Sequence, residues 1–353
     1  MTAALHIVDA RTPADMLDQL ATLAGPGDRV VSLGPPPCWP GFDRAIQPLH
    51  CPLGAAALGG LYLRRIARRE EPLHFWSPRA ASALRTLPRW PLRRVLLSLP
   101  ACPQAKEARR IGGLILMERL TVTLPTAAAR DEAARLGLPA SALAVLPPPA
   151  IAVDADALSR RRTATRKAMG IADGQTLLLA PAEMYSEAGH KYASWVHAIL
   201  RQMLGDVLLA MPFGGPARKH VECFAHTTGY DDEVFLPDRW PGGLGLLDAL
   251  AAADLTLLLA TRDADTAALA AAMAAGSPIV ATGLPQHCEM APDGQAALLV
   301  PPDDPRAASA AALQLIDERP LAQRLGAAAA GIARRRFDPA TCRQRLADLY
   351  AGR

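Results

Sequence analysis

LTLLLATRDADTAALAAAMAAGSPIVATG (255–283) decides the fold. It opens on an apolar run, 255–260, turns through a short acidic segment, and continues in good helix formers to Gly276. A second apolar run, PIVATG (278–283), follows at once. Short apolar runs bounded by turn signals read as buried strands, so the plan is strand, turn, helix, Gly, strand. In sheets built this way ligands sit beyond the carboxyl ends of the strands. Past the turn, however, the helix carries almost only Ala, Leu and Met.

The alternation extends in both directions. Upstream in the second half, TLLLAP (176–181), DVLLAMP (206–212) and EVFLP (233–237) read as strands. KYASWVHAILRQML (191–204), ARKHVECFAHTT (217–228), GLLDALAAA (245–253) and PRAASAALQLIDE (305–317) read as helices. In the first half the strands are LHIVD (5–9), RVVSLG (29–34), PLHFWS (72–77), RVLLSLP (94–100), GLILMERLTVTLP (113–125) and LAVLPPP (143–149). Helical patterns at 13–24, 58–69, 78–87 and 127–137 separate them. Strands alternating with helices imply an α/β chain with mainly parallel, doubly wound sheets. The prolines at 147–149 open a connector. The expected plan is a Rossmann-like domain at 1–150, a linker region at 151–175, a second Rossmann-like domain at 176–336 and a terminal helix at 337–353. Two such halves predict a ligand cleft between them.

The 353 residues carry a net charge of +4 that is unevenly divided. Residues 1–150 hold 18 Lys and Arg against 11 Asp and Glu, and residues 151–353 hold 20 against 23. The excess gathers at 64–110, from Arg64, Arg65, Arg68 and Arg69 to Lys106, Arg109 and Arg110, with Trp76 and Trp90 among them. A solvated helix face is the ordinary reading of such a run, and a surface for anionic lipid is the functional one. No nucleic-acid module accompanies the charge. The six cysteines are scattered without metal spacing, and the amino terminus lacks a signal-peptide core, which together predict a cytoplasmic protein. No Ser-His-Asp signature or phosphate loop of the GxxxxGKS type appears, and His190, His197 and His287 have no triad or metal spacing.

The run from LLDALAAADLTLLLA through AAAMAAGSPIVATGLP to DGQAALLVPPDDP resembles the nucleotide-sugar domain of the family-4 glycosyltransferases. GIARRRFDPATCRQRLADLY (331–350) resembles that family's C-terminal helix, and HFWSPRA (74–80) and 123–154 resemble its first domain. The resemblance implies the GT-B fold: two facing Rossmann-like domains, a cleft between them and a C-terminal helix crossing back. It implies retaining transfer from a nucleotide-sugar to a glycan or lipid-linked acceptor, without a metal or other cofactor. The family holds the donor diphosphate with an Arg and a Lys in the first loop of the second domain. Two glutamates seven residues apart contact the sugar and the ribose, and backbone amides at the helix start hold phosphate.

Those positions have changed. Glu183 falls at the Arg position, Ala188 at the Lys position, Asp263 at the first glutamate and Ala271 at the second. Gly189 matches, Lys191 is the only cation nearby in sequence, and DARTPADML (9–17) replaces the first domain's glycine-rich loop. Charged hydrogen bonds contribute about 1.5–3 kcal/mol each, so three losses remove about 5–9 kcal/mol if they add. The remaining donor-binding candidates are Asp263, Asp265, Thr266, Lys191 and Glu289, with helix capping the structural alternative for the two aspartates. His74, Trp76 and Arg79 are the acceptor-side candidates, a satisfied structural histidine being the commoner case for His74. Two functions follow: a divergent retaining transferase, or a catalytically silent GT-B protein that binds a glycan or partners an active transferase in polysaccharide biosynthesis. An epimerase on the same fold would want polar catalytic groups that are not visible. Peripheral contact with the inner face of an anionic membrane fits either function.

Overall fold

The structure is a computed structural model that describes residues 3–35, 49–51, 59–68, 71–86, 94–117, 120–150, 153–262 and 265–352. The chain forms two compact units, Met1–Pro149 with Pro339–Arg353, and Ala150–Asp338.

The first unit is built on seven parallel strands: β1 (Leu5–Val8), β2 (Arg29–Leu33), β3 (Leu49–Cys51), β4 (Leu73–Phe75), β5 (Val95–Ser98), β6 (Leu120–Leu124) and β7 (Leu143–Val145). Their order is β3-β2-β1-β4-β5-β6-β7. Strand residues alternate between two faces. Leu5, Ile7, Leu73, Phe75, Val95 and Leu97 join one core with the helices Gly59–Ile66 and Ala105–Met117. Val8, Val30 and Leu96 join another with Met16, Leu17 and Leu20 of the helix Ala14–Leu23 and with Cys342 and Leu346 of the terminal helix Pro339–Ala351.

The second face is partly polar, which explains why the terminal helix carries Tyr350. His74 projects from β4 with both ring nitrogens engaged, Nδ1 at 2.8 Å from the Tyr350 hydroxyl and Nε2 at 2.7 Å from Ser98 Oγ. Ser98 Oγ lies 2.6 Å from Thr123 Oγ1 on β6. The Trp76 indole donates to His6 Nδ1 at 3.1 Å. Indole nitrogen is a donor only, so the His6 proton sits on Nε2, facing Asp28 Oδ2 at 3.2 Å. Buried polar groups on a sheet face are tolerated because each finds a partner.

One predicted strand is corrected. GLILM (113–117) ends the helix Ala105–Met117, and β6 begins only at Leu120. Ala108, Ile111 and Leu114 are buried at helical spacing, and a short apolar run alone does not distinguish a helix end from a strand. The GIARRRFDPATC segment also divides, between the helices Arg319–Arg336 and Pro339–Ala351. Phe337, 1 % exposed, plugs the second unit's core, and Pro339 opens the next helix.

The second unit has six parallel strands: β8 (Thr176–Leu179), β9 (Val207–Ala210), β10 (Val234–Phe235), β11 (Leu255–Leu258), β12 (Ile279–Thr282) and β13 (Leu298–Val300), ordered β10-β9-β8-β11-β12-β13. The helix Ala155–Met169, which the sequence reading puts in a linker, packs on the helix Leu246–Ala252 of this unit. Arginines hold it there. Arg162 donates to the carbonyls of Ala252 and Ala253 at 3.0 and 2.9 Å, and to Asp254 at 2.5 Å. Arg166, nearly buried, donates to Asp254 at 3.1 Å and to the carbonyls of Ala172 and Gln175 at 2.8 and 2.7 Å. A guanidinium can be buried this way because its donors are matched.

The plain helix is Thr266–Ala274, and seven of its nine residues are buried. Beyond it lies the helix Arg319–Arg336, where a Cβ on Gly326 would come within 2.2 Å of the Gly276 carbonyl oxygen. Ala and Gly fill this layer because there is no room for longer side chains.

Candidate functional site

The second sheet reverses direction between β8 and β11: the chain steps outward from β8 through β9 to β10, then returns to β11 on the other side. Loops that leave the carboxyl ends of two strands at such a reversal diverge and make a binding edge. Here they are tied together by backbone. Thr261 N donates to Glu187 O at 2.8 Å, and the β8 loop is tied on its other side to the loop after β9, where Met184 N donates to Gly214 O at 3.0 Å. Thr282 Oγ1, at the end of β12, donates to Ala260 O at 2.7 Å. Gly189 sits at φ 79°, with the position of an added Cβ only 1.8 Å from Leu259 O. Only glycine satisfies both the backbone angle and the approach.

His190 follows, 2 % exposed, and opens the helix His190–Leu204. Its Nε2 donates to Ala182 O at 3.0 Å. Its Nδ1 is buried without a hydrogen-bond partner among the described residues. A proton there would meet no acceptor, and burial brings the His190 pKa down to about 4 despite the Ala182 carbonyl.

The predicted donor residues take separate places. Lys191 is exposed, its Nζ 5.4 Å from the centre of the Tyr192 ring. Thr266 is buried at the first position of its helix. Asp265 precedes it in the left-handed conformation, φ 62°, and its side chain does not cap the helix, which corrects the capping expectation. Asp263 lies outside the described residues. Glu289 is held from the side, its carbonyl accepting from Arg336 Nη1 at 2.6 Å and its carboxylate from Arg336 Nη2 at 3.4 Å. Glu183 is half-buried in the loop after β8, Ala188 is buried, and Ala271 is partly covered on the plain helix.

Two acceptor-side expectations are corrected. His74 and Trp76 are 0 % and 1 % exposed, stacked with ring centres 4.3 Å apart, and have no face left for a ligand. The satisfied structural histidine is what the sheet contains. Burial, with His6 nearby, holds His74 well below the ordinary imidazole value. Arg79 is exposed on the short helix Pro78–Ala81. The DARTP turn after β1 closes on itself, Asp9 accepting from Arg11 N at 2.9 Å and from Ser77 Oγ at 3.1 Å.

Sequence reasoning missed Arg262. It lies just beyond β11, next to Thr261, and its charge reaches Glu187 in the loop after β8. The Glu187 carboxyl is held below its usual range mainly by the Ser186 hydroxyl, then by its own backbone amide, with Arg262 adding to both. No spacing rule connects positions so far apart; the strand order does. Among the described residues no group of three or more His, Cys, Asp or Glu is placed to hold a metal ion. No helix among them is long and apolar enough to cross a membrane.

The family model described as glycosyl transferases group 1 matches residues 161–331. Among solved structures, HepE of Anabaena in complex with UDP-glucose matches with a TM-score of 0.83, covering 100 % of both chains at 16 % identity. The fold is GT-B. A glycosyltransferase of Rickettsia africae (TM-score 0.75, 12 % identity, 99 % of this chain and 98 % of that one) is similar. So is sucrose-phosphate synthase of Thermosynechococcus elongatus (TM-score 0.74, 14 % identity, 100 % and 99 %). No curated protein sequence matches the chain. At such identities the likeness establishes the GT-B fold and leaves chemistry to the site.

Proposed function

We propose that this GT-B chain is a divergent retaining glycosyltransferase that moves a sugar from a nucleotide-sugar to a glycan or lipid-linked acceptor, using no metal or other cofactor. The observation that carries the reading is the edge at the β8–β11 reversal, where Gly189 keeps the backbone of one loop against the backbone of the other. An Ala at that position would be enough to separate them. An edge closed so tightly by main chain is suited to a ligand read largely by backbone groups. The match to the glycosyl transferases group 1 model over this unit supports the same reading, as does the likeness to a protein solved with UDP-glucose.

The altered positions favour the second reading, a silent GT-B protein that binds a glycan or partners an active transferase in polysaccharide biosynthesis. Ala188 and Ala271 offer no charge, and Glu183 offers the wrong sign for a diphosphate. Calorimetric titration with UDP-, GDP- and ADP-linked sugars separates the two. Saturable binding of one donor, weakened about a thousandfold or more relative to an intact site, is the expected result. A flat panel rejects the donor reading and leaves the silent one.

Contact with the inner face of an anionic membrane belongs to the same proposal. The helices Gly59–Ile66 and Ala105–Met117 both pack on the turn Ser82–Thr86 and so share one side of the first sheet. They expose Arg64, Arg65, Arg109 and Arg110 beside Leu61 and Leu116, 48 % and 84 % exposed. Each cation near such a surface contributes about 1 kcal/mol. The chain is expected to sediment with phosphatidylglycerol vesicles at low salt and to lose this when Arg109 and Arg110 are replaced by Glu. Equal recovery on neutral phosphatidylcholine vesicles would sink the idea.

A further inference from the structure

We propose that Arg262 is the side chain that neutralises the donor diphosphate in this chain, taking over from the two cations whose places are occupied by Glu183 and Ala188. The inference rests on the donor reading above and assigns a residue to it that the family pattern does not.

Position comes first. Thr261 donates its amide to the Glu187 carbonyl at 2.8 Å, so the next residue leaves β11 alongside the loop that follows β8. That loop is where the missing cations would have stood. Gly189, pressed against Leu259 two residues before Thr261, keeps the two loops at this separation. Arg262 therefore begins at the binding edge itself, on the strand beside the one that normally supplies the charge.

Availability comes second. Six other arginines of this unit are committed, and none of the rest lies at the β8–β11 reversal. Arg162 and Arg166 clamp Asp254 and nearby carbonyls, Arg201 pairs with Glu233, Arg218 with Glu222 and Asp238, Arg239 with the carbonyls of Asp231 and Val234, and Arg336 with Glu289. Arg262 is exposed and makes no hydrogen bond or ion pair within 4 Å to any described residue. Glu187 feels its charge without binding its guanidinium. A side chain with five donors, none of them used by a described residue, matches at a ligand edge what a diphosphate requires. Lys191 is a weaker alternative because its ammonium is drawn toward the Tyr192 ring, 5.4 Å away, and it is a point charge rather than a fork.

Chemistry comes third. The leaving group of glycosyl transfer is a nucleoside diphosphate, on which negative charge develops as the glycosidic bond breaks. A guanidinium that binds its oxygens in two places holds the ground-state diphosphate and stabilises the departing one. No covalent step or proton transfer is asked of Arg262.

The test uses the full-length chain and the nucleoside diphosphate (UDP, GDP or ADP) that binds best, with its parent nucleoside as the uncharged comparison. Titration calorimetry on Arg262→Ala should show the diphosphate weakened about ten- to hundredfold, with the nucleoside unchanged. Arg262→Lys should fall between wild type and Arg262→Ala. Lys191→Ala should stay within about twofold of wild type, the size of a lost solvated charge. If Arg262→Ala binds the diphosphate as wild type does, the assignment is wrong and the donor reading survives. If nucleoside and diphosphate weaken together, Arg262 acts through the fold and the assignment is equally wrong. If wild type binds none of the three diphosphates, the donor reading itself fails and takes this inference with it.

Discussion

Replacing Gly189 with Ala is expected to destabilise the second unit by about 2–5 kcal/mol, a left-handed penalty of about 1–2 kcal/mol plus an overpacking cost of about 1–3 kcal/mol. The new methyl group would stand 1.8 Å from Leu259 O and 2.3 Å from the Leu259 carbonyl carbon, both main chain and neither able to swing aside. Relief requires the β8 loop to move away from β11. That motion breaks the Thr261–Glu187 hydrogen bond and uncovers the Thr261 amide. Urea unfolding measures the first effect and hydrogen exchange at Thr261 the second. A variant with wild-type stability and a protected Thr261 amide would show that the two loops do not depend on glycine at this position. Donor binding, if the chain binds one, should be lost in the same variant.

Acidification is expected to weaken the protein well before its carboxylates titrate. His190 has an ordinary value of 6.5 when unfolded and about 4 when folded. A histidine whose folded value is depressed contributes stability that is complete above pH 6.5 and is lost as the pH falls toward the folded value. Between those limits the unfolded chain takes up a proton that the folded chain refuses, at a cost near 1.4 kcal/mol per pH unit. From His190 alone the loss by pH 4 is about 3 kcal/mol. His197, kept low by burial against the pull of the Val207 carbonyl, adds to it in the same unit, and His74 acts likewise in the first. Urea midpoints at pH 7, 5.5 and 4.5 measure the slope. His190→Gln keeps a donor for the Ala182 carbonyl and cannot ionise, so its slope should be flatter than that of wild type. Parallel slopes for the two proteins would remove His190 from the explanation.

Much of the GT-B fold is legible from local pattern. LTLLLA, PIVATG and TLLLAP are strands because a short apolar run with turn residues at both ends has few other ways to bury itself. The plainness of the helix after 265 is legible too, since Ala and Gly at that density announce a tight layer, and the layer against Gly326 is tight. GLILM misleads for the same local reason: five apolar residues suit the end of a helix as well as a strand. The site was less legible. His74 and Trp76 look like cleft residues when only their position at a strand end is known. Their burial follows from a terminal helix more than 260 residues away that delivers Tyr350 to the sheet.

Alternation of period and polarity along the chain was enough to determine two parallel α/β sheets and their approximate elements. These are properties of neighbouring residues, and neighbouring residues are what a sequence displays. Which side chains meet was decided by tertiary structure alone. Thr261 and Glu187 lie 74 positions apart, and only the reversal of strand order between β8 and β11 makes them partners and sets Arg262 beside them. The strength of a contact depends on distance in space, and strand order converts distance along the chain into distance in space by a rule that no local pattern carries.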